Sequence, residues 1–545
     1  MGYSQKDISS NDHFKRVNSF LSNNGTVFFW LTFALSILTS LLLFNLRISE
    51  GGDDSTYIIR ALNLLNDGTY PSYQGPIYPM FLSVIMSVAG MKLGFLKLTS
   101  LLFMGLFFYL FYKAFKNRIE PVILYPVLLL LSVNSYVLYF SSQTYSEAMF
   151  MALLALFFVF IFKFLDLQKE GMPSIKQFLL IAFTLVLLVL TKTIGIGIVI
   201  AVILFFLIEK EYVVAGKILL AFTLILGGWM LLKGAIWGFD ISTSNQASTL
   251  LLKNPYDASK GQETFWGYVT RFIDNSNLYL SKHFFKMIGM RSSETLSVMP
   301  ALTVLLYVLF VYSFVEVFRR NRYLTFVGVF ILILLGATFV SLQKIWDQYR
   351  LIVPFFPFML IFLTSGVVKL FKNKRLVRLQ IVVTGFLLAT VLFTASQSVA
   401  RADLLTLRSN LMGNRYKGYT DDWINYLKMT EYVGDRLDKN SYVACRKPNM
   451  ARINANGKKF YGIYRIESGN PDLLLQRLKD RGVTHIIMAN LRKNPSVNNG
   501  HTINTIQRYM SVIAKKYPSV FQLKHKIGKK EPAYLFYIDY SSKSK

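Results

Sequence analysis

Apolar blocks of about twenty residues recur along the chain, and they constrain its fold more than any other feature. The first block runs from Val27 to Leu46 and reads VFFWLTFALSILTSLLLFNL. A helix needs about twenty apolar residues to cross roughly 30 Å of hydrocarbon, so each block has the length of a membrane span. Of the 545 residues, 53% are hydrophobic, more than is usual in a soluble protein of this length. The sequence therefore predicts a polytopic α-helical membrane protein.

The predicted number of spans is about eleven. Their approximate ranges are 27–46, 95–114, 120–140, 146–165, 177–191, 194–208, 216–236, 299–318, 324–343, 351–368 and 379–397. Clusters of lysine and arginine alternate with these blocks, and such clusters mark cytoplasmic loops. No small-residue cleavage site follows the first block, so it is expected to remain as an uncleaved span. The pattern predicts a multi-pass protein of the inner (cell) membrane with a cytoplasmic N terminus, residues 1–26.

Three segments outside the predicted spans are long enough to form structures of their own. The membrane domain, residues 27–398, contains a first external loop at 47–93 and a second large one at 239–298. Because the number of spans is odd, the C-terminal part is expected to lie outside as well. In that part, residues 399–545, short strand-like and helix-like runs alternate, which is typical of a small α/β domain. The predicted fold is thus a helical membrane domain followed by an extracytoplasmic α/β domain.

The formal charge of +30 does not indicate a nucleic-acid partner. In a membrane protein, cationic residues anchor cytoplasmic loops and contact anionic lipid, and no nucleic-acid recognition motif accompanies them here. The single cysteine, Cys445, excludes an internal disulfide. The five histidines are scattered without ligand spacing, which argues against a histidine metal or redox centre. Membrane lipid is the partner that the charge predicts.

Two adjacent carboxylates follow the first span, in the stretch EGGDDSTY at residues 50–57. If a helix begins at Asp53, then Asp53 and Tyr57 share one face of it, and Gly68 ends it. Pro76 and Pro79 bracket a second short helix that is too short to span. The stretch is either a functional acid pair at the membrane surface or a solvated pair that caps a helix.

At these residues the sequence resembles the GT-C class of membrane glycosyltransferases, specifically the protein O-mannosyltransferases and the aminoarabinose transferases of lipid A. The resemblance lies in the acid pair, a tyrosine four residues later, and the element PIYP. Three further stretches are similar to features of the class. They are Ser146-Glu147 at the head of a span, LTKTIG at 190–195 and QYRLIVPFFP at 348–357. One departure is the second interfacial helix, which lacks the acidic residue of the aminoarabinose-type enzymes.

The resemblance implies transfer of a sugar from a polyprenyl-phosphate donor to an extracytoplasmic acceptor. That chemistry needs a base for the acceptor hydroxyl and cations for the leaving phosphate. Asp53 is the candidate base, with Asp54 in a secondary role. Lys192 and Arg350 are the candidate phosphate ligands. Lys192 lies within a long apolar stretch, where a lysine at the bilayer centre is costly, so two half-length helices that meet near it are expected. Lipid anchoring is the alternative for both cations.

Four weaker candidates complete the predicted site. Tyr57 and Tyr78 are assigned to the donor phosphate or sugar, although tyrosines are common at membrane interfaces. Glu147 and Lys97 are assigned to orienting the site. The helix macrodipole explains a glutamate at position 147 equally well, and Lys97 equally marks the end of a span. Metal dependence stays open, but a divalent cation is not favoured, because two adjacent aspartates make a poor oxygen cage.

The predicted function is therefore that of an integral membrane glycosyltransferase, a hexosyl- or pentosyltransferase that depends on a polyprenyl-phosphate sugar. An oligosaccharide ligase or polymerase of the same fold is the nearest alternative. A transporter is a further alternative, but transporters use paired broken helices, and only one such break is visible in this sequence. An assembly protein of envelope polysaccharide would not need the acid pair.

Overall fold

A computed structural model describes residues 13–72, 74–171, 173–239, 250–255, 261–290, 297–343, 346–373, 375–493 and 502–541. The chain divides into two compact units. The first unit includes the segments Leu64–Pro255 and Lys260–Leu404, together with the chain up to Asn45. The second unit joins Leu46–Asn63 to Leu405–Lys545, so it contains the acid pair as well as the C-terminal part.

Helices dominate the described chain up to Leu411, and all of those helices except Asp53–Asp67 and Leu404–Leu411 belong wholly to the first unit. In chain order they are α1 (His13–Asn23), α2 (Gly25–Leu42), α3 (Asp53–Asp67), α4 (Ile77–Ala89), α5 (Leu93–Phe115), α6 (Pro121–Ser132), α7 (Ser135–Leu138), α8 (Ser146–Glu170), α9 (Ile175–Thr191), α10 (Gly195–Ile208), α11 (Tyr212–Trp237), α12 (Phe265–Ser276), α13 (Phe285–Met287), α14 (Pro300–Val317), α15 (Arg322–Ser341), α16 (Phe356–Phe371), α17 (Gln380–Ala400) and α18 (Leu404–Leu411). A π-helix, Asn277–Phe284, follows α12, and 3₁₀ turns lie at Tyr139–Ser142, Tyr349–Leu351 and Val377–Leu379.

Within the described residues, seven helices are long and apolar enough to cross a membrane. They are α2, α5, α8, α11, α14, α15 and the continuous stretch Val377–Leu411. An eighth span results if α6 is counted with Ser135–Ser142, to which it is bent by 57°. The predicted number of eleven also counts α9, α10 and α16, which are shorter apolar helices. Eleven spans therefore remains a prediction.

Aromatic side chains from several helices pack against one another in the interior of the helical unit. Helix α5 packs along α8, and α15 packs against α10 and α16. Phe158 of α8 stacks on Phe358 of α16 with ring centroids 4.2 Å apart. Phe326 and Phe330 of α15 meet Phe158 edge-to-face, and all four side chains are fully buried. Such edge-to-face pairs are favoured by the ring quadrupole and add to the stabilisation from burial.

The second unit contains a mixed sheet with helices on both faces. Its helices are α19 (Asp421–Arg436), α20 (Pro448–Asn454), α21 (Pro471–Asp480) and α22 (Thr505–Ala514). Its strands are β1 (Tyr442–Cys445), β2 (Phe460–Gly462), β3 (Val483–Met488), β4 (Leu491–Arg492), β5 (Thr502–Ile503), β6 (Phe521–Ile527) and β7 (Ala533–Ile538). The five-stranded sheet has the order β2-β1-β3-β7-β6, while β4 pairs with β5.

One strand of this sheet, β7, runs opposite to the other four. Strand β1 runs parallel to both β2 and β3, whereas β7 is antiparallel to β3 and to β6. Helices α21 and α22 cover one face with buried apolar side chains such as Leu478 and Ile513. Helix α19 contacts β6 and β7 and buries Trp423 and Tyr426. The α/β alternation predicted for the C-terminal part is confirmed by this sheet.

Candidate active site

The acid segment, residues 46–63, begins with a tight turn that presents the two carboxylates. The N–H of Gly52 donates to the carbonyl of Ser49 at 3.0 Å, and Gly52 has a φ of +87°. Glycine reaches this left-handed region without a steric cost, which explains a glycine just before the acid pair. Helix α3 then begins at Asp53. The predicted helix start at Asp53 and its end before Gly68 are both confirmed.

The two aspartates have different surroundings. Asp54 is fully buried, and its carboxylate accepts from the N–H of Ser49 at 2.6 Å and from the N–H of Ser55 at 2.8 Å. Asp53 lies at the first position of α3 and stays partly exposed to solvent. A carboxylate that accepts from two backbone donors closes the turn, and this carboxylate belongs to Asp54.

A second group of polar side chains surrounds Glu147 in the first unit. Glu147 is fully buried at the start of α8. Its Oε1 atom accepts from Lys192 Nζ at 2.8 Å and from Arg350 Nε at 2.5 Å. Arg350 also lies over the ring of Tyr145, 4.5 Å from the centroid. The structure thus brings three predicted site residues together: the cations Lys192 and Arg350 both contact the carboxylate of Glu147.

The position of Lys192 follows from a break between two helices. Helix α9 ends at Thr191, Lys192 has an extended backbone (φ −147°, ψ 137°), and α10 begins at Gly195. The predicted pair of half-length helices is therefore confirmed. A Cβ atom on Gly195 would lie 2.6 Å from the backbone carbon of Leu188, so only glycine allows the two helices to approach this closely.

The loop before α4 packs against the same break. Gly75 has a φ of +99°, and a Cβ atom on it would lie 2.5 Å from the carbonyl oxygen of Leu190. Tyr78 follows in the first turn of α4 and is fully buried. Tyr57 is also buried, with 1% of its surface exposed, and belongs to the second unit. The two tyrosines predicted to bind the donor are thus both interior side chains.

Lys97 lies in the first turns of α5 and is fully buried. Its Nζ donates to Asn45 Oδ1 at 2.8 Å, and the amide of Asn45 donates to Ser142 at 3.1 Å. Nearby, Ser100 donates to the carbonyl of Gln143 at 2.6 Å. Lys97 therefore supports the polar turn that leads into Glu147.

Sequence reasoning missed several charged residues that the fold brings near these groups. In the second unit, Lys447 donates to the carbonyl of Gly51 at 2.8 Å. In the first unit, Asp347 pairs with Lys282 at 2.5 Å and with His283 at 2.7 Å, three residues before Arg350. Lys447 and Gly51 are 396 residues apart, so no local pattern points to their contact. Lys282 and His283 lie on the π-helix Asn277–Phe284, and π-helical turns are frequent at functional sites.

A metal site finds no support in the described part of the chain. No group of three or more histidine, cysteine, aspartate or glutamate side chains lies close enough there to hold a metal ion.

No protein-family model matches the chain, and no curated protein matches it either. Solved structures do match. A crystal structure of ArnT from Cupriavidus metallidurans in the apo state gives a TM-score of 0.55 at 11% identity, over 96% of this chain and 99% of ArnT. ArnT from the same organism bound to undecaprenyl phosphate gives 0.55 at 10% identity, over 95% of this chain and 99% of ArnT.

The archaeal oligosaccharyltransferase AglB from Archaeoglobus fulgidus, in complex with an inhibitory peptide and a dolichol-phosphate, gives a TM-score of 0.51 at 11% identity. That match covers 86% of this chain and 70% of AglB. ArnT, a lipid A aminoarabinose transferase, and AglB are both GT-C class enzymes. The chain has the GT-C fold, as the resemblance in its sequence implies.

Proposed function

We propose that the chain is an integral membrane glycosyltransferase that moves a sugar from a polyprenyl-phosphate donor to an extracytoplasmic acceptor. The observation that carries the proposal is the pair of cations, Lys192 and Arg350, on the buried carboxylate of Glu147. The pair occurs in a fold whose solved relative ArnT has been captured with undecaprenyl phosphate.

The charges of this group suit a single phosphate. Glu147 offsets one of the two cations, which leaves one net positive charge. A polyprenyl-phosphate sugar is a phosphodiester with one negative charge, and departure of the phosphate creates a second. Fixed cations that meet charge as it develops lower the barrier, because they are already oriented before the reaction.

Asp53 is the proposed base of the reaction. It accepts the proton of the acceptor hydroxyl, whose oxygen forms a bond to the anomeric carbon of the sugar. The bond between that carbon and the phosphate oxygen breaks, and its electron pair goes to the phosphate beside Lys192 and Arg350. Asp54, which accepts from two backbone N–H groups, keeps the turn in place.

Orientation in the membrane is part of the proposal. The alternation of basic clusters supports a cytoplasmic N terminus and an extracytoplasmic acid segment and C-terminal domain. An extracytoplasmic acid segment has access to acceptors of the cell envelope. A lipid-linked donor reaches it along the membrane.

An oligosaccharide ligase is the second candidate, because AglB matches over most of the chain. The two candidates differ in the donor. The first candidate takes a donor with a single sugar, and the second takes a donor with an oligosaccharide.

Mass spectrometry of envelope lipids, glycans and proteins, from cells with and without the gene, tests the proposal. The expected result is that one acceptor loses the mass of a single sugar while the polyprenyl-phosphate sugar accumulates. Loss of a multi-sugar unit instead supports the ligase. Identical envelopes would contradict both candidates. A strain that expresses the Asp53→Asn variant should match the deletion.

A further inference from the structure

Three side chains of the C-terminal domain donate hydrogen bonds to the acid segment. Lys447 Nζ donates to the carbonyl of Gly51 at 2.8 Å. Two residues of α20 contact α3 directly. Asn449 donates to the Thr56 hydroxyl at 3.0 Å, and Arg452 donates to the Asn63 side chain at 2.8 Å. Residues three apart share a face of a helix, so α20 presents one polar face along α3.

Contact between Lys447 and the acid turn is close. A Cβ atom placed on Gly52 would lie 3.3 Å from Lys447 Nζ. The backbone of Lys447 is itself held, because its N–H donates to the Tyr426 hydroxyl at 3.3 Å and its carbonyl accepts from the same hydroxyl at 3.2 Å. Hydrogen bonds to Tyr426 of α19 therefore fix the backbone of Lys447. The side chain of Lys447 in turn contacts the turn at Gly51 and Gly52.

The charge of Lys447 also faces the acid pair. Carboxylates of Glu50, Asp53 and Asp54 attract its ammonium, while the neighbouring guanidinium of Arg446 repels it. The ammonium lies 5.9 Å from the ring centroid of Trp423. The Lys447 ammonium thus interacts with three carboxylates at the N-terminal end of α3, with Arg446 and with the Trp423 ring.

We infer that Lys447 is a positioning residue for Asp53: through the carbonyl of Gly51 and the charge of its ammonium, it holds the acid turn in its reactive arrangement. The inference rests on the proposed function, since it concerns the base of that reaction. It assigns the C-terminal domain a part in catalysis, namely that it fixes the geometry of the acid segment.

If Lys447 positions Asp53, turnover should depend on the protonation state of Lys447 and therefore on pH. Burial is the largest cause that lowers the pKa of Lys447, Arg446 adds to it, and the three carboxylates oppose it, with a result of about 8. The ammonium is charged below that pH and neutral above it. Turnover of the wild-type enzyme should therefore decline as the pH rises through about 8, when the attraction to the carboxylates is lost.

Two variants of the full-length enzyme test the inference. In Lys447→Met, kcat should fall by roughly 10²-fold with little change in the KM for the donor, because a displaced base slows the chemical step. Lys447→Arg keeps its charge at all accessible pH values, so its alkaline decline should move to higher pH. The control is Lys516→Met, which removes a lysine of the same domain that pairs with Asp472 at 2.5 Å. It should behave as wild type.

Hydrogen exchange of the acid turn, followed by mass spectrometry, gives a readout that does not depend on activity. Exchange at residues 49–56 should rise in Lys447→Met and stay unchanged in Lys516→Met. The inference would be overturned if Lys447→Met had the same kcat, the same exchange rate at residues 49–56 and the same alkaline decline as the wild-type enzyme. If Lys447→Met does not fold, an unshifted alkaline decline in Lys447→Arg overturns it. A wild-type enzyme without transfer activity would refute the proposed function, and the exchange experiment would still decide the role of Lys447.

Discussion

Two adjacent carboxylates, Asp53 and Asp54, differ in their exposure to solvent, and we propose separate tasks for them on that ground. Asp54 is buried with two backbone donors, whereas Asp53 is partly exposed at the first position of α3. The sequence identified the pair and the helix that begins there. It did not reveal the turn that buries Asp54, because that turn depends on Ser49 and on a glycine with positive φ.

Replacement of Asp54 should loosen the acid turn. In Asp54→Asn, one of the two backbone donors faces an amide NH₂ group and stays unsatisfied while buried, which costs about 1 to 3 kcal/mol. Hydrogen exchange of residues 49–55 should accordingly accelerate by roughly 5- to 150-fold. Exchange at the wild-type rate would show that the carboxylate does not hold the turn.

Removal of either cation from Glu147 should weaken donor binding. Hydrogen bonds to charged groups contribute about 1.5 to 3 kcal/mol. Lys192→Met and Arg350→Met should therefore each raise the Kd for a polyprenyl phosphate by roughly 10- to 150-fold, as measured by calorimetry. Lys176→Met is the matched control, since Lys176 is exposed at the opposite end of α9. Unchanged affinity in both variants would reduce the two cations to lipid anchors.

At the scale of elements, sequence patterns predicted the long helices and the larger strands but not the short helix α20. The break between α9 and α10 was predictable because a lysine interrupts an apolar stretch. Helix α20, with the sequence PNMARIN, has only seven residues and no extended apolar period. Its contacts to Thr56 and Asn63 span more than 380 residues of sequence, which no local pattern encodes.

The helix break should be sensitive to a single methyl group. Gly195→Ala places a Cβ atom 2.6 Å from backbone, so the two helices must separate and Lys192 must move. Donor affinity should fall as it does in Lys192→Met. Gly216→Ala in α11 is the control, because no atom lies within 4 Å of its added Cβ. That change should stabilise the protein by about 0.5 to 1 kcal/mol. Equal donor affinity in the two variants would contradict the role of the break.

Across the whole molecule, the length and spacing of apolar blocks predicted a polytopic helical membrane protein, and the resemblance of short motifs implied the GT-C class. The solved structures match that fold over almost the full chain. The number of spans was less predictable. Helices α9, α10 and α16 are apolar but shorter than a full membrane crossing, so composition alone does not decide whether they span. The assignment of the acid segment to the second unit was not predictable, since it depends on contacts distant in sequence.

Membrane orientation gives the prediction at this scale. With the basic clusters in the cytoplasm, a reporter that is active only in the cytoplasm should be silent when fused after Lys545. The same reporter fused between α8 and α9, after Gly171, should be active. A strong signal from the C-terminal fusion would place Asp53 on the cytoplasmic side.

Turnover of the purified enzyme with a polyprenyl-phosphate sugar tests the central claim most directly. The wild-type enzyme should transfer the sugar and release polyprenyl phosphate. Asp53→Asn should lose about 10²- to 10⁴-fold in kcat, because a general base contributes that much, while donor affinity is kept. Asp54→Asn should lose distinctly less. An Asp53→Asn enzyme as active as wild type would contradict the account and remove the chemistry from the acid segment.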